Sequence, residues 1–247
     1  MIPSKRNIAK SNGLQRKTKP KIHQKIANTF IENAIQKNNF GALKTIYYLS
    51  TILEDEIIKE KKENDLITIQ IDKREMLKFT ELTLDTIIKS TKQMQETSIT
   101  FFEESDGIIE GMSLLPRYYF VPNKNIVELD LYVRIAKMVI AVKRDYTNLN
   151  IKSLMQVKNV HSLRFLALLN KMNQEEILKS KTLNLEELNL FFGTNYKSWS
   201  MIENKIIKPT KEELDKHSKI SFEYQSNFEK LGVGRPKFKE LEIKVKL

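Results

Sequence analysis

The apolar residues of this chain change period at Ser218, and that change limits what the C-terminal third can become. Upstream, Leu185, Leu188, Phe191 and Phe192 follow the three-four spacing of an amphipathic helix. Gly193 ends it and Thr194-Asn195 turn the chain. Ser198 stands as an N-cap before a second helix, along which Trp199, Ile202, Ile206 and Leu214 share one face. Ser200, Asn204, Lys208 and Lys211 form a stripe on another face. After Ser218 the period falls to two. Ile220, Phe222 and Tyr224 alternate with polar residues, as do Leu241, Ile243 and Val245. The loop between, Phe228 to Lys237, is rich in glycine and positive charge.

A helix pair followed by a basic hairpin is the plan of a winged helix, which lays its second helix in the DNA major groove. The first half carries the same order. Its expected elements are a helix from Asn39 to about Lys62, a strand Leu66–Ile71, and a helix opened by an Asp72/Glu75 capping box. Leu82 and Thr83 then introduce a helix with Leu84, Ile87, Ile88, Thr91 and Met94 inward, and Asp85, Lys89, Lys92, Gln93 and Glu96 outward. Two hairpins follow: Ile99–Phe102 with Ile108–Leu115, turning at Ser105-Asp106-Gly107, and Arg117–Val121 with Ile126–Leu131. Val133–Val142 reads as a helix, Arg144–Asn150 as a linker, and Ile151–Val157 and Leu163–Met172 as the start of the second module. The expected fold is α+β: two tandem winged-helix domains at 26–146 and 147–247, after a flexible basic arm over 1–25.

Charge supports a polyanionic partner. The net +11 divides as +8 over residues 1–25, −3 over 26–147 and +6 over 148–247. The arm reads equally as a solvated tail or as a segment lying along phosphates. With no cysteine, disulfides and thiolate metal sites are excluded. No apolar run is long enough to span a bilayer, and the N-terminus lacks an apolar signal-peptide core. A bacterial cytoplasmic setting is expected.

Several stretches resemble the iteron-binding plasmid replication initiators. Tyr196-Lys197-Ser198-Trp199, then Ile202 to Pro209, Glu212 to Leu214 and Ile220 to Tyr224 are similar to the aromatic residue, basic cluster and pre-wing motifs of that family's C-terminal module. Tyr146 to Asn150 followed by His161 to Leu169 resembles a second signature. The resemblance implies binding of double-stranded, directly repeated origin DNA by monomers, and a dimer, formed through the first module, that represses its own gene. It also implies contacts with the host initiator and the replicative helicase. Where the family clusters basic residues, this chain has Glu203-Asn204-Lys205, so only Lys205 keeps the charge.

Catalysis finds no support in the residues. His23, His161 and His217 are far apart, so no local His pair exists for a metal-dependent nickase. There is no Walker-type phosphate loop, and Gly232-Val233-Gly234 precedes a strand rather than a helix. The chain is expected to be non-enzymatic, without cofactor or metal.

DNA contacts are expected from Lys197 and Ser198 at the start of the recognition helix, and from Ser200, Asn204, Lys205 and Lys208 along it. Asn pairs bidentately with adenine and Lys reaches guanine. Trp199 has the spacing of a core residue, with stacking on nucleic acid as the less favoured reading. Pro209 marks either a kink after Lys208 or the start of a new turn. Lys230, Arg235, Lys237 and Lys239 belong to the wing and suit phosphates, Arg235 alternatively a minor groove. In the first module Thr86, Lys89, Lys92 and Gln93 hold the corresponding positions. Two other functions fit the same sequence: a winged-helix repressor without an origin role, and a protein-binding adaptor.

Overall fold

The computed structural model describes residues 23–27, 40–103, 108–121, 123–140, 146–174, 180–230, 234 and 236–247. The first module contains β1 (His23–Ala27), α1 (Phe40–Ile52), a short α2 (Asp55–Ile58), β2 (Leu66–Asp72), α3 (Lys73–Thr80), α4 (Leu84–Glu96), β3 (Ser98–Glu103), β4 (Ile108–Ser113), β5 (Arg117–Phe120), β6 (Ile126–Tyr132) and α5 (Val133–Ile140). Then come β7 (Tyr146–Asn150), α6 (Ile151–Gln156), α7 (Val160–Gln174), β8 (Ser180–Leu183) and α8 (Leu185–Phe192). The chain ends with α9 (Trp199–Ile202), a π-helical segment Glu203–Ile207, α10 (Lys208–His217), β9 (Ser221–Glu229) and β10 (Lys237–Lys246).

Both modules build the same sheet. In the first, β6 lies between β2 and β5; in the second, β10 lies between β8 and β9; all pairings are antiparallel. Each module therefore contains the series helix, strand, helix, helix, strand, strand, whose first strand pairs with its last, β2 with β6 and β8 with β10. Two α+β winged-helix modules stand in tandem. The first carries an additional hairpin, β3–β4, between its second helix of the pair and its sheet. The turn expected at Ser105-Asp106-Gly107 lies outside the described residues.

Helix α1 is the centre of the first module. Every residue from Gly41 to Thr51 is buried, so this is a helix enclosed on all sides rather than one with a solvent face. It ends earlier than the expected Asn39–Lys62 helix. Glu54 adopts an extended conformation and a separate turn, α2, follows. Ser50 and Thr51 donate their hydroxyl protons back to the Tyr47 and Tyr48 carbonyls at 2.7 Å, a local bonding pattern that competes with helix continuation. Gly41 lets α4 approach closely, because a Cβ there would collide with Ser90. This contact also explains why Ser90 is buried on α4 while Ile88, expected inside, is exposed.

Two other local expectations change. Asp72 caps α3 by accepting from the Glu75 amide at 3.0 Å, and Thr83 caps α4. Ser198, however, occupies the N-cap position without a side-chain capping bond. The segment read as a linker, Arg144–Asn150, contains β7, which pairs with His23–Ala27. An element distant in sequence supplies the hydrogen bonds that a polar stretch could not find locally. Strand β1 thus starts at His23, within the span assigned to the arm; residues 1–22 lie outside the described residues.

Helix α7 joins the modules. Phe165 packs with Phe191, Phe192 and Phe222 of the second module, and Arg164 donates to the Phe192 carbonyl at 2.6 Å. His161 sits edge-on to Phe192, 5.4 Å between ring centres. Burial, with the Arg164 charge adding to it, lowers the His161 pKa to about 4.

Gly41→Ala is expected to destabilise the fold by about 1–3 kcal/mol through overpacking, despite alanine's better helix propensity. Ser90→Ala in the same chain should recover part of the loss. Urea unfolding of the three variants measures this, and a Gly41→Ala protein as stable as wild type would contradict the close α1–α4 approach. His161 gives a pH signature. Its folded pKa lies below the unfolded value of about 6.5, so the unfolded chain binds more protons between those two values. The stability associated with the neutral ring is complete above that window and declines as pH falls through it. Unfolding midpoints between pH 7 and pH 4 should fall less steeply for His161→Phe than for wild type.

Candidate nucleic-acid interface

The second module's helix pair is locked before it presents any side chain. Asn184 and Glu187 form a full capping box at the start of α8, and Gly193 ends it in the left-handed region, φ 64°. Asn189 then fixes the turn to the next helix. Its side-chain oxygen accepts from the Tyr196 amide at 2.7 Å and the Thr194 hydroxyl at 2.9 Å, while its amide donates to the Tyr196 carbonyl at 2.9 Å. Sequence reading passed over Asn189, although an Asn one turn before a Gly–Thr–Asn turn is the available signal.

From Trp199 to His217 the backbone stays helical, and Pro209 sits inside it. Of the two readings of Pro209 the structure gives the fresh start: an α-helical segment begins at Lys208 with the proline in its first turn, on a backbone that stays helical. The Lys208 amide reaches back five residues to the Glu203 carbonyl, producing a wider π turn immediately before the proline. A proline lacks the amide that would bond to the fourth preceding carbonyl, and its ring would press on that carbonyl. The π segment absorbs that strain without breaking the rod.

One face of this rod is core. Trp199 is 6% exposed, and Ile202, Ile206, Ile207 and Leu214 are fully buried. Trp199 stacks on Phe238 of β10, ring centres 4.7 Å apart and nearly parallel. The tryptophan is therefore a core residue that ties the wing's base to the helix. Glu203 turns toward the sheet, where Tyr224 donates to it at 3.2 Å and Lys208 lies 3.7 Å away. Burial, followed by the Glu203 charge, raises the Tyr224 hydroxyl to about 12, keeping it protonated as the donor.

The opposite face carries the expected set. Lys197, Ser198, Ser200, Asn204, Lys205 and Lys208 are all exposed. Asn204 donates to the Ser200 hydroxyl at 3.3 Å and accepts from Lys208 Nζ at 3.1 Å, making a side-chain ladder along the helix. Lys205 lies over the Tyr196 ring, 5.5 Å from its centre. Lys211, placed on the same stripe, instead donates to Asp215 at 3.1 Å and Glu223 at 3.3 Å.

In the wing, Lys230, Lys237 and Lys239 are exposed. The β9–β10 register shifts between Phe238 and Glu240, leaving Lys239 at a bulge. Arg235 lies outside the described residues. On α4 of the first module, Lys89 and Lys92 are exposed, while Thr86 and Gln93 are half-buried. Thr86 spends its hydroxyl on Thr83 at 2.9 Å. Among the described residues, no group of His, Cys, Asp or Glu is placed to hold a metal ion, and no helix is long and apolar enough to cross a membrane.

Two family profiles match the chain. "Initiator Replication protein, WH1" covers residues 23–170, and "Initiator Rep protein, WH2" covers 184–245. They meet later than the 146/147 division read from sequence; α7 lies largely in the first profile while packing Phe165 into the second module. No curated protein matches. Among solved structures, the Pi initiator protein in complex with iteron DNA superposes with a TM-score of 0.67 at 13% identity, over 93% of this chain and 99% of that one. With both winged-helix profiles matched in order across most of its length, this chain belongs to the initiator replication protein family.

Proposed function

We propose that this protein is a plasmid replication initiator that binds directly repeated origin DNA, with α9–α10 in the major groove and the β9–β10 wing on the backbone. The reading rests on one observation above others. The helix bearing Ser200, Asn204, Lys205 and Lys208 on its exposed face has its other face sealed into the core and its wing fastened through Trp199 and Phe238. A rigid helix with a polar, cationic face and an attached basic hairpin matches the geometry of groove docking. The similar Pi initiator is described in complex with iteron DNA.

Within that reading, Asn204 and Lys205 contact base edges, with Ser200 and Lys208 beside them. Lys197, Ser198, Lys230, Lys237 and Lys239 hold phosphates, together with Arg235. The first module adds weaker contacts through Lys89 and Lys92 on α4, flanked by Thr86 and Gln93. Occupied repeats would gather the host initiator and replicative helicase in the bacterial cytoplasm. A dimer formed through the first module would repress the protein's own gene. The protein itself supplies binding energy and no catalysis.

Combined Asn204→Ala and Lys205→Ala substitutions should remove about 1–3 kcal/mol of base discrimination per contact. Band shifts against competitor DNA should then show no preferred site, with unchanged circular dichroism. Retained preference would put the base-reading face elsewhere. Lys239→Ala should behave differently: affinity falls alike for all sequences, and the slope of log K against log salt drops by about one. A change of sequence preference in that variant would argue against a phosphate role for the wing.

A further inference from the structure

We propose that Met201 is a specificity-determining residue that packs against the C5-methyl group of a thymine next to the base contacted by Asn204. The proposal rests on the reading of α9–α10 as the groove-entering helix. Met201 lies in the first turn of that helix and is 39% exposed, between neighbours Trp199 and Ile202 that are sealed in the core. It belongs to the exposed band with Ser200, Asn204, Lys205 and Lys208, at the end from which recognition helices contact base edges.

The polar members of that band already engage one another or an aromatic ring: Asn204 bonds Ser200 and Lys208, and Lys205 covers Tyr196. Met201 contributes the apolar surface of the band. In the major groove the thymine methyl is the apolar group a base pair presents. A flexible, polarizable methionine adapts to such a target without needing one rotamer. Adenine contacted by Asn204 and a thymine methyl covered by Met201 together describe an A·T-containing step, read by two residues three positions apart on one helix face.

The test uses the full-length chain and a duplex that the chain itself enriches from a random-sequence pool. Each thymine of that duplex is replaced singly by deoxyuridine, which removes the methyl and keeps Watson–Crick pairing. Wild type should lose about fourfold in affinity at one thymine, the value of one buried methyl-sized group. Met201→Ala should bind the parent duplex more weakly and be indifferent to uracil at that same position. Met201→Leu should keep the discrimination, and circular dichroism at the binding temperature should show both variants folded. The proposal is overturned if wild type tolerates uracil at every position, or if Met201→Ala loses the same factor at the same thymine. Those results leave selective DNA binding intact. Failure to enrich any duplex would remove the groove-docking reading and this inference with it.

Discussion

A helix with no solvent face holds the molecule together. α1 is enclosed by α3, α4, α5, α6 and β1, so its buried polar groups can turn only to other protein groups: Lys44, Ser50 and Thr51 find them, while the Thr45 and Tyr47 hydroxyls do not. Lys44 meets that demand across the two halves of the chain. Its ammonium donates to the Thr80 carbonyl at 3.2 Å and the Met155 carbonyl at 2.6 Å, and lies 4.7 Å from the centre of the Phe40 ring. Burial lowers its pKa, while Glu81 of the first module and Glu213 of the second raise it. A charge in this position is costly unless its donors stay occupied, so any displacement of α6 from α3 exposes an unmet bond. The buried lysine makes the relation between the modules specific rather than merely adhesive.

The same economy of polar groups shapes the candidate interface. Asn189 spends its side-chain amide on the turn between α8 and α9, Arg164 bonds the last carbonyl of α8, and Tyr224 holds Glu203. These bonds lie behind the exposed face and leave Ser200, Asn204, Lys205 and Lys208 on a rod whose position is fixed before any partner arrives. Preorganisation of this kind lowers the ordering cost of binding. The π turn ahead of Pro209 belongs to the same design, since it keeps one continuous helix where the proline would otherwise interrupt it. In the last turn of α10, Asp215 accepts from Ser221 at 2.5 Å, clamping the helix end to the start of β9.

Much of the fold was legible because local patterns and tertiary demands agree. The capping residue Asp72, the helix start at Thr83, the helix-ending glycine at 193, and the period-two strands of both hairpins could be read from neighbours alone. Trp199 could be assigned to the core by its spacing. What stayed hidden were contacts between residues far apart in sequence. Strand β7 looked like a linker until β1 paired with it, and β8, with three of its four residues exposed, showed no apolar alternation. Ile88, expected inside, is exposed while Ser90 is buried, because Gly41 brings a second helix against one side of α4.

The sequence alone determined the repeated order of elements, the segregation of positive charge, and the set of polar residues on the second module's recognition helix. These follow from period and charge, which are properties of short windows. The tertiary structure decided which of those residues are available. Lys211 is taken by Asp215 and Glu223, Glu203 is drawn to Tyr224, and Met201 is left exposed among polar neighbours. It also decided that β2 closes against β6 and β8 against β10, and that Lys44 bridges the halves. Such outcomes depend on which distant groups must satisfy one another once water is excluded, and no local window contains that information.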